Sequence, residues 1–304
     1  MKISYSAPAK VILSGEHAVV YGKPALVSTI NLRLKFSLTI LGRSFQDGKT
    51  DEEIYFISKK VRNYLKNQEI NFINKPFNFK IGSEIPVGRG LGSSAALSVA
   101  AVSTFLEFYA GRQFEKKEIN DLAFQIEKHF HQNPSGVDNS AACFGGLILY
   151  QKKISLTQLN NKIPKTVEKK LFLIDSGKPK ETTGEMVDFV RTKVDKNILT
   201  DIKKIVDNLT VSIKSKNQVL FKKCLAENED LLEKIGVVSE KTKKLLVNLS
   251  KFGLGKVTGA GGRKTNSGFI LFFADDKEKL KEFLKRKKIT YYQFVPDYQG
   301  LQKI

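Results

Sequence analysis

The sequence predicts an α+β protein built as two domains, the first over residues 1–167 and the second over 168–304. Three observations predict it. The chain has 304 residues, too many for one minimal core and enough for two of ordinary size. Both halves mix short, alternating apolar runs with stretches of helical spacing. Between them lies a polar, lysine-rich stretch, 152–168, which contains Pro164 and reads as a junction.

Residues 2–5 and 10–14 are short alternating runs, and 32–40 (LRLKFSLTI) alternates over a longer span, so the first forty residues read mostly as strand. Gly15-Glu16-His17 and a Tyr21-Gly22-Lys23-Pro24 turn interrupt them. Residues 53–68 place Ile54, Ile57, Val61 and Leu65 on one helix face, and 76–81 reads as the next strand. Pro86 and the alternating glycines Gly88, Gly90 and Gly92 precede Ser93 and Ser94. An alanine-rich apolar stretch then runs to Tyr109, with Gly111 as a stop, so a glycine-rich loop opens into a buried helix. A helix over 116–131 is lined by Ile119, Leu122, Ile126 and Phe130. Asn133-Pro134-Ser135-Gly136 forms a loop, followed by Val137-Asp138, a run of small residues and a strand at 146–151. The second half opens with a strand at 171–175, then helical patterns at 184–209, 210–234 and 239–251. A second glycine-rich turn (253–262), a strand (267–273), a helix (276–287) and a strand (289–294) complete it.

Composition excludes several classes. Hydrophobic residues make up 41% and charged residues 27% of the chain, the balance of a soluble globular protein. No run approaches 18 consecutive apolar residues, so no membrane span is expected. The opening MKISYSAPAKVILSGE lacks the apolar centre of a secretory signal. Cys143 and Cys224 lie far apart and suggest neither a disulfide framework nor a cysteine zinc site. The expected location is the cytoplasm. A net charge of +20 admits a nucleic-acid or anionic-membrane partner, neither of which is expected, or a lysine-rich solvated surface that also attracts anionic substrates. The charge is dispersed, and its densest run, 277–288, carries Leu280, Phe283 and Leu284 at helical spacing without interleaved aromatics, so no nucleic-acid partner is expected.

The feature richest in chemistry is the Gly88–Ala96 stretch, GRGLGSSAA. Glycines let the backbone approach an anion, and the helix that follows offers unpaired N–H groups and the positive end of its dipole. The same residues could equally be a glycine turn before a serine-capped helix. The spacing G-x-G-x-G is not the dinucleotide fingerprint, and Gly42 to Gly48-Lys49-Thr50 has five residues between its glycines where a P-loop needs four. Lys10, amid apolar strand residues, either reaches water at a sheet edge or faces an anion. Glu127 lies beside the apolar stripe of its helix. Asp138, among small residues at a loop-to-helix junction, has room for a substrate beside it or is an N-cap. Lys256-Val257-Thr258-Gly259-Ala260-Gly261-Gly262 can close over a ligand or simply reverse the chain. His129 and His131 fall on different helix faces, which argues against a metal pair.

Three motifs, APAKVILSGEHAVVYGKPAL, PVGRGLGSSAALS and KVTGAGG, occur in the order of the galactokinase, homoserine kinase, mevalonate kinase and phosphomevalonate kinase (GHMP) superfamily. The resemblance covers residues 7 to about 273, and the forms GEHAVVYG and NPSGVDN resemble the mevalonate kinase family in particular. The resemblance implies a ribosomal-protein-S5-like domain packed on a ferredoxin-like domain, with the site in the cleft. It implies that Pro86, Gly88, Gly90, Leu91, Gly92, Ser93, Ser94 and Ala95 wrap the ATP phosphates and that Ser94 and Glu127 hold Mg2+. Asp138 would take the proton of the acceptor hydroxyl, with Lys10 beside it. Glu16, His17, Ser135 and Thr182 would contact mevalonate, and Gly259, Ala260 and Gly261 would back the phosphate loop. A homodimer is compatible with it. Phosphomevalonate kinase is the nearest alternative, for which Lys178, Lys180, Arg263 or Lys264 could supply extra positive charge. The third motif departs from the family where Arg263-Lys264-Thr265-Asn266-Ser267 replaces further glycines, either adding an anion contact or forming a mobile excursion.

Overall fold

A computed structural model describes residues 2–40, 49–130, 134–152 and 154–304. Gly42, Gly48, His131 and Asn133 lie outside the described residues, as does the side chain of Phe130.

β1 (Lys2–Ser14) is one strand rather than the two short runs expected. Pro8 breaks the alternation but not the strand, because the register against β2 (Pro24–Ile40) shifts between Pro8 and Ala9. A 3-10 turn at Ala18–Tyr21 joins the two strands. β2 begins well before residue 32, since its first seven residues are all buried and read as a continuous rather than alternating run. On its outer edge, residues 34–40 pair with β3 (Phe77–Ser83) and residues 24–28 with β4 (Leu147–Gln151). β5 (Ser155–Leu159) extends β4, and the two-residue β10 (Gln302–Lys303) returns to the edge of β1. The order is β10-β1-β2-β4-β5, with β3 attached to β2. The stretch expected as a bare junction therefore carries β5 and one helical turn, α5 (Lys165–Glu168).

α1 (Lys49–Asn67), α2 (Ser93–Ala110), α3 (Lys116–Phe130) and α4 (Val137–Phe144) cover this sheet, with α2 central and in contact with the other three. α2 is the one described helix long and apolar enough to cross a membrane, yet 72% of its apolar window is buried inside the protein, as in a core helix.

The second sheet has the order β7-β8-β6-β9, from β7 (Gly253–Val257), β8 (Phe269–Ala274), β6 (Leu171–Asp175) and β9 (Tyr291–Gln293). β7 occupies part of the expected glycine turn. Its Gly255 serves packing, because a Cβ there would stand 2.7 Å from the Phe272 ring. Around the sheet lie α6 (Thr183–Val190), α7 (Lys196–Lys214), α8 (Gln218–Lys234), α9 (Glu240–Leu249) and α10 (Lys277–Arg286). The long helical pattern at 184–209 is cut because Asp195 caps α7 by accepting from the Ile198 N–H, and Asn217 caps α8 in the same way. One buried cluster joins Ala7, Val11 and Phe105 of the first layer to Leu171, Phe269 and Leu271 of the second sheet.

Candidate active site

The loop before α2 holds Gly88, Gly90 and Gly92 at φ of 69°, 86° and 77°, a left-handed backbone that other residues adopt at a cost. Space restricts it further. A Cβ on Gly90 would meet the Thr258 carbonyl at 3.0 Å, and one on Gly92 would meet Lys10 Cγ at 3.1 Å. Gly92 is the N-cap of α2 and carries no side-chain cap hydrogen bond, so the serine-capped alternative is not the one adopted. The first N–H groups of α2 and the exposed Ser94 stand at the mouth of this loop, while Leu91 and Ala95 anchor it from below and Pro86, half-buried, begins it.

Lys10 does not reach water. Its side chain is 4% exposed, and its ammonium lies 3.2 Å from Asp138 Oδ1 and donates to the Gly90 carbonyl at 3.2 Å. Its own N–H donates to the Leu91 carbonyl at 3.0 Å, which fastens β1 to the loop. Asp138 is not an N-cap: Gly136 is, and Asp138 stands in the first turn of α4, where the helix dipole favours a negative charge. Its carboxylate is partly open, at 39% exposure, so a ligand can reach it.

Glu127 is buried on α3 and accepts from Ser98 Oγ at 3.0 Å. Burial and then the charge of Asp138 push its carboxyl up to about 7, against the opposing pull of the Ser98 bond. A cation between these groups would relieve both effects. Among the described residues, no cluster of three or more His, Cys, Asp or Glu could hold a metal. A hydroxyl and one carboxylate instead suit Mg2+, which keeps most of its shell from water and substrate phosphates.

Glu16 and His17 meet the second glycine turn. Glu16 forms an ion pair with Lys256 in which neither side chain is exposed. His17, at φ 59°, has Nε2 3.1 Å from the Ala260 carbonyl, to which that nitrogen donates. Burial lowers its pKa to about 4, so the ring is neutral at physiological pH. A Cβ on Gly259 would lie 3.0 Å from Gly90 Cα, so the two glycine segments touch, and Gly261 packs against the Val237 carbonyl. Ser135 precedes α4, its hydroxyl accepting from the Val137 N–H and its carbonyl from the Tyr150 hydroxyl.

Thr182 is exposed and caps α6, its hydroxyl engaged with Glu185 in a capping box. The departing 263–267 turn is tied down on the same side. Arg263 lies 3.6 Å from the Phe189 ring centroid, Lys264 N–H donates to Glu181, and Asn266 donates to the Lys178 carbonyl. It is not a free excursion.

The structure thus brings Lys10, Asp138, the 88–95 loop and Gly259 together, joins Glu16, His17 and Ala260 to them through β1, and leaves Thr182 at a helix cap. Sequence reasoning named Lys256 only as the start of the second glycine turn and passed over Glu229 and Ser98. Lys256 carried a weaker form of the Lys10 signal, a lysine between the apolar Leu254 and Val257 in a glycine-rich run. Ser98 carried helical spacing from Ser94, one turn on.

Residues 54–146 match the family model described as GHMP kinases N terminal domain. The chain is 31% identical over 267 residues to the mevalonate kinase of Archaeoglobus fulgidus, covering 84% of this chain and 88% of that one. It is 31% identical over 317 residues to the mevalonate kinase of Pyrococcus furiosus, covering 92% and 91%. The crystal structure of the Methanococcus jannaschii mevalonate kinase superimposes with a TM-score of 0.80 at 24% identity over 98% of each chain, a likeness of fold.

Proposed function

This chain belongs to the mevalonate kinases of the GHMP superfamily, and on that footing we propose how its residues transfer the γ-phosphoryl group of ATP to the primary hydroxyl of mevalonate. The single observation that carries the proposal is the Lys10–Asp138 pair, 3.2 Å apart and fastened to the glycine loop through Gly90.

The loop N–H groups from Gly88 to Ala95, with Pro86 and Leu91 shaping it, receive the ATP phosphates. Asp138 accepts the proton of the acceptor hydroxyl. A carboxylate is a weak base towards an alcohol, so the neighbouring Lys10 charge is needed to stabilise the alkoxide as it forms. Ser94 and Glu127 would hold Mg2+, which when bound neutralises phosphate charge. Catalysis is then mostly positioning and electrostatics. The acceptor side is assigned to neutral His17 and Ser135, with Thr182 joining from the α6 cap; Glu16, expected to touch mevalonate, is fully buried against Lys256 and serves as a support instead. Gly259, Ala260 and Gly261 form the wall against the phosphate loop. The cytoplasm is the proposed location.

A coupled assay of ATP turnover with mevalonate beside phosphomevalonate, galactose and homoserine tests this. Mevalonate alone is expected to support turnover, and its failure to do so would sink the proposal. Turnover with phosphomevalonate instead would point to the basic residues at 178–180 and 263–264 as a phosphate site.

A further inference from the structure

Lys256, one residue before the end of β7, has its ammonium out of contact with water, donating to the Ile12 carbonyl at 3.1 Å and paired with Glu16. Thr258 grips the same residue. Its hydroxyl accepts from the Ile12 N–H at 3.0 Å and donates to the Ile12 carbonyl at 3.1 Å. Ile12 lies two residues from Lys10 and four from Glu16. The register of β1 against β2 shifts on both sides of this stretch, between Pro8 and Ala9 and between Ile12 and Ser14. Each shift disrupts the ladder locally, so between them only Ala9–Ile12 keep a continuous register with β2. The position of the Lys10 ammonium is therefore set by what holds Ile12 as well as by its own bonds to Leu91, Gly90 and Asp138.

Stability alone explains Lys256 poorly. A fully buried ion pair recovers little more than its desolvation cost, and an apolar replacement of similar volume often serves as well. Glu229, on α8, faces the same group and accepts from the Val257 N–H at 2.7 Å. Burial pushes its carboxyl up to about 8, and burial likewise raises the Glu16 carboxyl and lowers the Lys256 ammonium, each opposed by the attraction between the two.

We propose that Lys256 is a positioning residue for phosphoryl transfer: by clamping Ile12 and Glu16 it sets where Lys10 and His17 stand relative to the glycine loop. The proposal rests on the reading of Lys10 and Asp138 as the reacting pair. It gives the second glycine segment a role beyond walling the phosphate loop, since the same few residues hold the strand that carries the catalytic lysine.

The test compares Lys256→Met and Thr258→Val with Leu284→Ala, a core truncation on α10. In the first two, kcat is expected to fall about 10- to 100-fold, the cost of a misplacement on the order of 1 Å. KM for ATP is expected to stay within about twofold, and Leu284→Ala, although less stable, to keep its kcat. If Lys256→Met does not fold, the double variant Glu16→Gln/Lys256→Met removes the uncompensated buried carboxylate and takes its place. Hydrogen exchange of residues 9–14 is expected to rise in the clamp variants and not in Leu284→Ala. That readout does not depend on the acceptor, so a wrong acceptor and a wrong clamp give different results. Clamp variants whose kcat and exchange match those of Leu284→Ala would overturn the inference.

Discussion

Lys10 shows why single residues in this chain mislead when read locally. A lysine in an apolar strand ordinarily snorkels to water. Lys10 is instead 3% exposed and Lys256 is fully buried, each satisfied by a carboxylate and a backbone carbonyl from a distant segment. Nothing within a few residues of either position encodes its partner, so the residue types were legible, the role of Lys10 only through the family resemblance, and that of Lys256 not at all. Two predictions belong here. Asp138→Asn is expected to lower kcat by about 10²- to 10⁴-fold, the usual worth of a positioned base, while nucleotide affinity measured by titration changes little. Glu229 has its pKa raised on folding, so the folded chain holds a proton that the unfolded chain releases. Its contribution is thus fully present below about pH 4.5 and is lost as pH rises towards about 8. Glu229→Gln keeps the acceptor for Val257 and does not titrate. Its stability relative to the native chain is expected to grow across that window by at most about 1.4 kcal/mol per pH unit, read from denaturant midpoints.

At the scale of elements, the glycine loop and α2 were fully legible, because helix stops, small residues and alternating glycines are local signals. The elements that escaped are those whose signal is not local. β5 is a polar, half-exposed edge strand, and β7 is rich in glycine for close packing. β10 is only two residues long, too short for any period. Gly92→Ala would force a left-handed backbone on alanine at about 1–2 kcal/mol and push its methyl into Lys10. It is expected to lower both melting temperature and kcat, and loss of one without the other would separate loop strain from lysine displacement. Thr182→Ala removes the α6 cap and is expected to cost about 1 kcal/mol in denaturant unfolding. A rise in KM for mevalonate in that variant would place Thr182 in the acceptor site as well.

On the scale of the molecule, the +20 charge says little about partners, since it is spread over helices such as α10 whose apolar faces Leu280, Phe283 and Leu284 are buried. A gel shift with duplex or single-stranded DNA at physiological salt is expected to show no complex. The common core that joins the two sheets predicts one cooperative unfolding transition in calorimetry, which ATP at 100 times its dissociation constant should stabilise by about 2.7 kcal/mol. Two separate transitions would mean that the halves unfold independently.

Residues 295–303 are threaded into the layer that the first residues of the chain build. The Asn31 N–H donates to the Val295 carbonyl, Asp297 pairs with Arg33, the Leu301 N–H donates to the Cys143 carbonyl, and β10 zips onto Tyr5 and Ser6. A chain emerges from the ribosome N-terminus first, at roughly 5–20 residues per second. The layer that carries Lys10, the glycine loop and Asp138 therefore has an unfilled seam until residues 295–303 have been made, so its early-made strands wait for a much later one. Until residues 295–303 clear the exit tunnel, the nascent chain offers the Tyr5–Ser6 edge of β1 to any chaperone or neighbour that finds it first.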